Sequence, residues 1–138
     1  MNMKKIVLTA FLFCSPFFFS QKSMNYVRIS YGSICCGTPS TKPVTNYLKK
    51  FEKSNKLRAF EILEQGGLGR EGEFNLYIGT DKLNKKQKAA FIKGLQSVII
   101  SQNKVRKQDS DGTVDFDPAV TVYKSDLADI ENLTIYKK

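Results

Sequence analysis

Cys35 and Cys36 stand next to each other in the chain, and adjacent thiols have a short list of chemistries. They can close on themselves as a vicinal disulfide, offer two soft ligands to Cu(I) or Zn, pair with another chain, or pack inertly as small apolar groups. Consecutive Cα atoms lie about 3.8 Å apart across a trans peptide, closer than the usual disulfide separation, so a vicinal bond is expected to be readily reduced. The pair precedes a stretch that starts like a helix. The free amides and positive end of such a helix lower a nearby thiol pKa.

The residues that would normally assist such chemistry are missing. The chain has no histidine, which excludes a Ser-His-Asp triad, a Cys-His dyad and any His-ligated metal centre within one chain. It has no tryptophan either, so Tyr and Phe must supply any aromatic recognition. No cofactor is predicted.

Anions are the second candidate class of ligand. The segment Gly66-Gly67-Leu68-Gly69-Arg70-Glu71-Gly72-Glu73 can offer backbone amides to an anion, with Arg70 assisting. It lacks the Gly-Lys-Ser/Thr ending of a phosphate-binding loop, and it lies between two strand-like runs, where glycines serve turns and bulges. Lys49, Lys50 and Lys53, and then Lys85, Lys86, Lys88 and Lys93, fall on the polar sides of two helical patterns and are further anion-binding candidates. Asp109, Asp111, Asp115 and Asp117 have the odd spacing of a calcium loop but no glutamate at its bidentate position.

The elements that position these residues can be read from periodicity. Val27, Ile29 and Tyr31 alternate with Tyr26, Arg28 and Ser30, which predicts a first strand ending at Gly32. Ser40 or Thr41 and Pro43 open a helix over about 41–53, with Val44, Leu48 and Phe51 inward. A second strand is expected over 57–64, with Phe60 and Ile62 on one face, and a third carries Phe74, Leu76 and Ile78. Asp81 or Asn84 caps a second helix over about 84–101, with Leu83, Phe91, Leu95 and Val98 inward. The polar stretch 102–117 is expected to be a flexible loop, after which Ala119–Tyr123 or Leu133–Tyr136 supplies a fourth core strand.

Strand, helix, strand, strand, helix, strand is the order of the split βαβ, ferredoxin-like design. It predicts an α+β domain in which an antiparallel sheet packs one face on two helices. The other face would then present Tyr26, Arg28, Asn75 and Tyr77, to be covered by the late strand and tail or by a second copy. Stacked nucleic-acid bases are a weaker expectation there, since no recognisable aromatic motif is present. The loop from Gly32 to Gly37, together with this order of elements, resembles heavy-metal-associated copper-carrier domains. In them the corresponding loop holds two metal-binding cysteines, separated by two residues and usually preceded by methionine. Neither feature is present here, and the resemblance implies at most a soft-metal site completed by a second chain.

The beginning of the chain bears on location. Lys4 and Lys5 precede an apolar run from Ile6 to Phe19 broken by Pro16, the layout of a signal peptide over residues 1–20, with cleavage near Ser20. Phe18 is bulkier than the usual residue two before the cut, and Phe13 argues against lipidation of Cys14. Residues 21–138 would form a single domain with no transmembrane span, carrying 20 Lys and Arg against 13 Asp and Glu. Such a balance suits an anionic surface, a polysaccharide or an acidic protein, as well as serving solubility. The sequence therefore predicts an exported, periplasmic or secreted, non-enzymatic binding protein. The alternative is a thiol-dependent redox or soft-metal protein using Cys35 and Cys36.

Overall fold

The computed structural model of the chain describes residues 24–137; the expected signal peptide and its cleavage site lie outside them. β1 (Asn25–Gly32) buries Val27, Ile29 and Tyr31 on one face, as its alternation dictates. α1 (Lys42–Ser54) starts at Thr41. The neighbouring Ser40 hydroxyl accepts the Lys42 N–H, and Pro43 occupies the first turn, where a missing donor costs nothing. Its Val44 and Leu48 are fully buried. β2 (Ile62–Gln65) and β3 (Phe74–Gly79) form a hairpin, and α2 (Lys85–Lys104) follows. Asn84 caps α2 through a reciprocal box with Gln87: its side chain accepts the Gln87 N–H at 2.8 Å, and the Gln87 side chain accepts its own N–H at 3.1 Å. β4 (Thr113–Phe116), β5 (Val122–Tyr123), the short α3 (Lys124–Leu127) and β6 (Leu133–Ile135) complete the chain.

The strands form one antiparallel sheet in the order β4-β1-β3-β2-β6, with β5 pairing the start of β1. Its register sets Val27 against Ile78, Ile29 against Leu76 and Tyr31 against Phe74, so one face is continuously apolar. α1 and α2 cover that face. Phe91 of α2 is the hub, with its ring centroid 5.0 Å from Phe60, 5.3 Å from Phe51 and 5.8 Å from Tyr47. Gly94 has no side chain to hold the helices apart, so Tyr47 reaches over α2 and donates its hydroxyl to the Phe91 carbonyl at 2.8 Å. Each fully buried Leu, Ile or Phe in this layer stabilises the fold by about 1.5–3 kcal/mol.

Three sequence expectations are corrected. The second strand does not span 57–64: β3 ends at Gly79, so residues before Glu61 have no ladder partner. The Phe60 N–H is satisfied by the Glu52 carboxylate at 2.8 Å instead. The polar stretch 102–117 is not all loop, because α2 continues to Lys104 and β4 lies within it. The fourth position of the sheet, beside β1, is accordingly taken mainly by β4. Both late candidate segments also join the sheet, as β5 on β1 and as β6 on β2. The back face is covered by this late segment, where Val122 and Leu127 pack on Tyr26 and Tyr77 in a second apolar cluster. Tyr26 donates to Glu61 there at 3.1 Å, and Tyr77 to Gln65 at 2.8 Å.

Candidate functional site

The antiparallel register gathers the end of β1, the start of α1, the β2–β3 loop and the end of α2 at one pole of the sheet. Cys35 and Cys36 sit there, both exposed and joined to each other by a disulfide with an S–S distance of 2.00 Å. Their loop is held by the Ser33 hydroxyl, which accepts the Gly37 N–H at 3.2 Å, and by Gly37 itself at φ +105°, a conformation that L side chains rarely adopt.

A cleft of about 320 Å³ opens beside the pair. Cys36, Thr38 and Ser40 form one wall, while Gln102, Arg106 and Asp111 contribute to the other. Two devices bring the walls together. Gln102 donates from Nε2 to the Ser40 carbonyl at 2.7 Å, tying the end of α2 to the start of α1. Gly112 lies against the backbone of Gly32 and the ring of Pro39, so closely that any Cβ there would overlap the Gly32 carbonyl. Arg106 stiffens the outer wall by donating from Nη1 to the carbonyls of Asp111 at 3.2 Å and Gln108 at 3.5 Å. The Asp111 carboxylate accepts the Lys107 N–H at 2.7 Å and the Ser110 hydroxyl at 3.3 Å. The lining is apolar as well as charged, since it includes Val105, 83% exposed.

The other candidates are placed differently. Arg70 is exposed on the β2–β3 loop and does not line the cleft; the cation beside the cysteines is Arg106. The glycine-rich segment holds its own anion. The Glu73 carboxylate accepts the Glu71 N–H at 3.0 Å, and a Cβ on Gly69 would overlap that carboxylate. The aspartates work in local turns: Asp115 accepts from the Thr113 hydroxyl and Asp117 from the Ala119 N–H. Among the described residues no group of three or more Cys, Asp or Glu side chains is arranged to hold a metal ion.

Lys49, Lys50, Lys53, Lys85, Lys86 and Lys93 are exposed on the two helices, and Lys88 is half-buried. α1 and α2 together carry nine lysines and a single acid, Glu52. The span 109–131, by contrast, holds seven acids and one lysine, Lys124. The helical layer is therefore basic, and the acidic span 109–131 runs from the end of α2 through β4 into the segment that covers the other face. Sequence reasoning missed Arg106, Gln102 and Asp111 as neighbours of the cysteines, because only the folding of α2 back to the pole brings them there. Neither a family model, a curated protein nor a solved structure matches the chain.

Proposed function

We propose that this chain is an exported, non-enzymatic binding domain whose basic helical layer engages an anionic surface. The observation that carries the reading is the segregation of charge: nine lysines and one acid on α1 and α2, set against the acidic span 109–131. A net charge spread evenly would serve solubility alone, whereas a one-sided layer also presents a field that orients the molecule on a polyanion. Export is supported by the basic start and apolar run of residues 4–20. The underlying scaffold is read as a split βαβ, ferredoxin-like domain, a reading supported by the order β4-β1-β3-β2, with β5 and β6 as additions. Among the described residues no helix is long and apolar enough to cross a membrane.

Sedimentation with vesicles tests the surface reading. The protein without residues 1–20 is expected to bind vesicles containing anionic lipid at low salt. It should release as ionic strength rises past physiological, where charges are screened beyond about 8 Å. The triple change Lys49→Glu, Lys50→Glu, Lys86→Glu is expected to abolish retention with the fold intact, as checked by circular dichroism. Equal retention on neutral and anionic vesicles would remove the reading; binding to a soluble acidic polysaccharide but not to vesicles would reassign its partner.

A second reading is favoured by a separate observation, the exposed disulfide on the wall of a cleft that also contains a cation. It makes the Cys35–Cys36 loop a thiol-dependent site, either redox or, once reduced, soft-metal-binding.

A further inference from the structure

We infer that the polar cleft takes a small zwitterionic thiol, cysteine or a short cysteinyl peptide, and exchanges it with the Cys35–Cys36 disulfide at Cys36. The inference rests on the thiol reading of this loop and deepens it by naming the substrate and the sulfur attacked.

Size comes first. A cleft of about 320 Å³ is at the lower end of the range for small-molecule sites and too small for a folded partner. Charge comes next. Both signs lie on one wall: Arg106, whose Nη1 is committed to carbonyls while its Nη2 and Nε bond none of the described residues, and Asp111, whose carboxylate also accepts the Lys107 N–H and the Ser110 hydroxyl. A purely anionic thiol would meet Asp111 unfavourably, and a purely cationic one would meet Arg106. A molecule carrying a carboxylate and an ammonium close together satisfies both, the carboxylate through a charge-assisted pair with Arg106. The hydroxyls of Ser40, Thr38 and Ser110 supply further polar contacts along the cleft.

The sulfur chemistry is defined by which cysteine lines the cleft. Cys36 lines it and Cys35 does not. The incoming thiolate attacks the Cys36 Sγ, the S–S bond breaks, and Cys35 leaves as a thiolate that takes up a proton from water. A mixed disulfide is then left on Cys36. A second thiol molecule attacks its own kind in that mixed disulfide, giving the free disulfide and the Cys36 thiol. Alternatively, Cys35 attacks Cys36 and reverses the first step. Overall, two small thiols are oxidised to one disulfide while the protein pair is reduced. With the small disulfide in excess the same steps run backwards.

The test compares four thiols on the protein without residues 1–20, following the loss of its disulfide by alkylation and intact mass. These are cysteine, cysteamine without the carboxylate, 3-mercaptopropionate without the ammonium, and 2-mercaptoethanol with neither. Rates are divided by the thiolate fraction of each reagent, since the thiolate is the attacking species. Cysteine is expected to react about tenfold faster per thiolate than the other three, the factor that a single charge-assisted pair provides. Arg106→Gln is expected to remove the advantage of cysteine over cysteamine. Because that variant also loses the bonds that hold the outer wall, a second measurement stands apart from it. Cystine should form an adduct with Cys35→Ser, which keeps Cys36, several-fold faster than with Cys36→Ser. Four equal rates, or faster capture by Cys36→Ser, overturn the inference and leave the thiol reading standing. A protein whose cysteines neither exchange nor become alkylatable with any of the four overturns both.

Discussion

Three tyrosines carry the clearest electrostatic signature of the fold. Burial pushes the Tyr26 hydroxyl up to about 12, with Glu61 beside it adding to the rise, and burial pushes Tyr47 up to about 12 as well. Tyr31 is raised further, chiefly by burial, its buried hydroxyl having no hydrogen-bond partner among the described residues. An unfolded tyrosine loses its proton near pH 10, while Tyr26 and Tyr47 hold theirs to about 12 and Tyr31 holds its own still longer. Between those limits the native state binds more protons than the unfolded one, so stability is complete below pH 10 and falls as the pH rises towards 12. The phenolate absorbance of these three should therefore rise only above pH 10, coinciding with loss of circular dichroism. All six tyrosines titrating together near 10 with the fold intact would contradict this.

The cysteines make the opposite prediction at the same level. Both are exposed and their ring closes no chain loop, so the double change Cys35→Ser, Cys36→Ser should shift unfolding free energy by no more than about 0.5 kcal/mol. A loss of several kcal/mol in denaturant titrations would make the pair a framework element. Their adjacency and their position before a helix are visible in the sequence. Their exposure and their cleft are not, because both depend on residues after position 100.

β4 shows why one element escapes a linear reading. Val114 and Phe116 alternate with Thr113 and Asp115 over only four residues, inside an acidic, glycine-containing stretch, too short a signal to stand out from loop composition. The strand exists because of contacts made elsewhere. It pairs β1 from Ile29 to Gly32, and the Asn103 side chain acts as a further strand neighbour, donating to the Val114 carbonyl at 2.7 Å and accepting its N–H at 3.0 Å. β1, β3 and the two long helices were legible because each carries its own period over six or more residues. Asn103→Ala leaves both Val114 groups without partners and should cost about 1–3 kcal/mol in denaturant unfolding. Gly112→Ala forces a methyl group into the Gly32 backbone and should cost about 1–3 kcal/mol by overpacking. It should also open the far wall of the cleft, so its thiol selectivity is expected to fall with its stability. A Gly112→Ala protein as stable as the parent would mean that β4 can shift without cost.

At the level of the molecule, the two faces of the sheet are held unequally. Among the described residues the helical side buries fourteen in one cluster, and the back face four, Tyr26, Tyr77, Val122 and Leu127. The cover over that smaller cluster is built from a two-residue strand, a four-residue helix and a three-residue strand. None of these pieces is long enough to persist alone, since the first turn of a helix is already costly to nucleate. They stay in place through Leu127 and Val122, through the short β5–β1 and β6–β2 ladders, and through backbone bonds beyond those ladders, among them Lys124 N–H to the Met24 carbonyl and Tyr136 N–H to the Ile62 carbonyl, each 2.9 Å. The overall basic balance could be counted from the sequence, but its division between a basic layer and this acidic cover could not, because the division depends on which face residues 117–136 fold against. The cover should open as a unit while the helical side stays folded. Native-state hydrogen exchange is then expected to show the Lys124 and Tyr136 amides exchanging at least about tenfold faster than the hydrogen-bonded amides of the β1–β3 ladder. Leu127→Ala should widen that gap by weakening the cover alone. If both groups of amides exchange at the rate of global unfolding, the cover is an integral part of one cooperative fold, and the acidic face cannot detach from the sheet without unfolding the basic one.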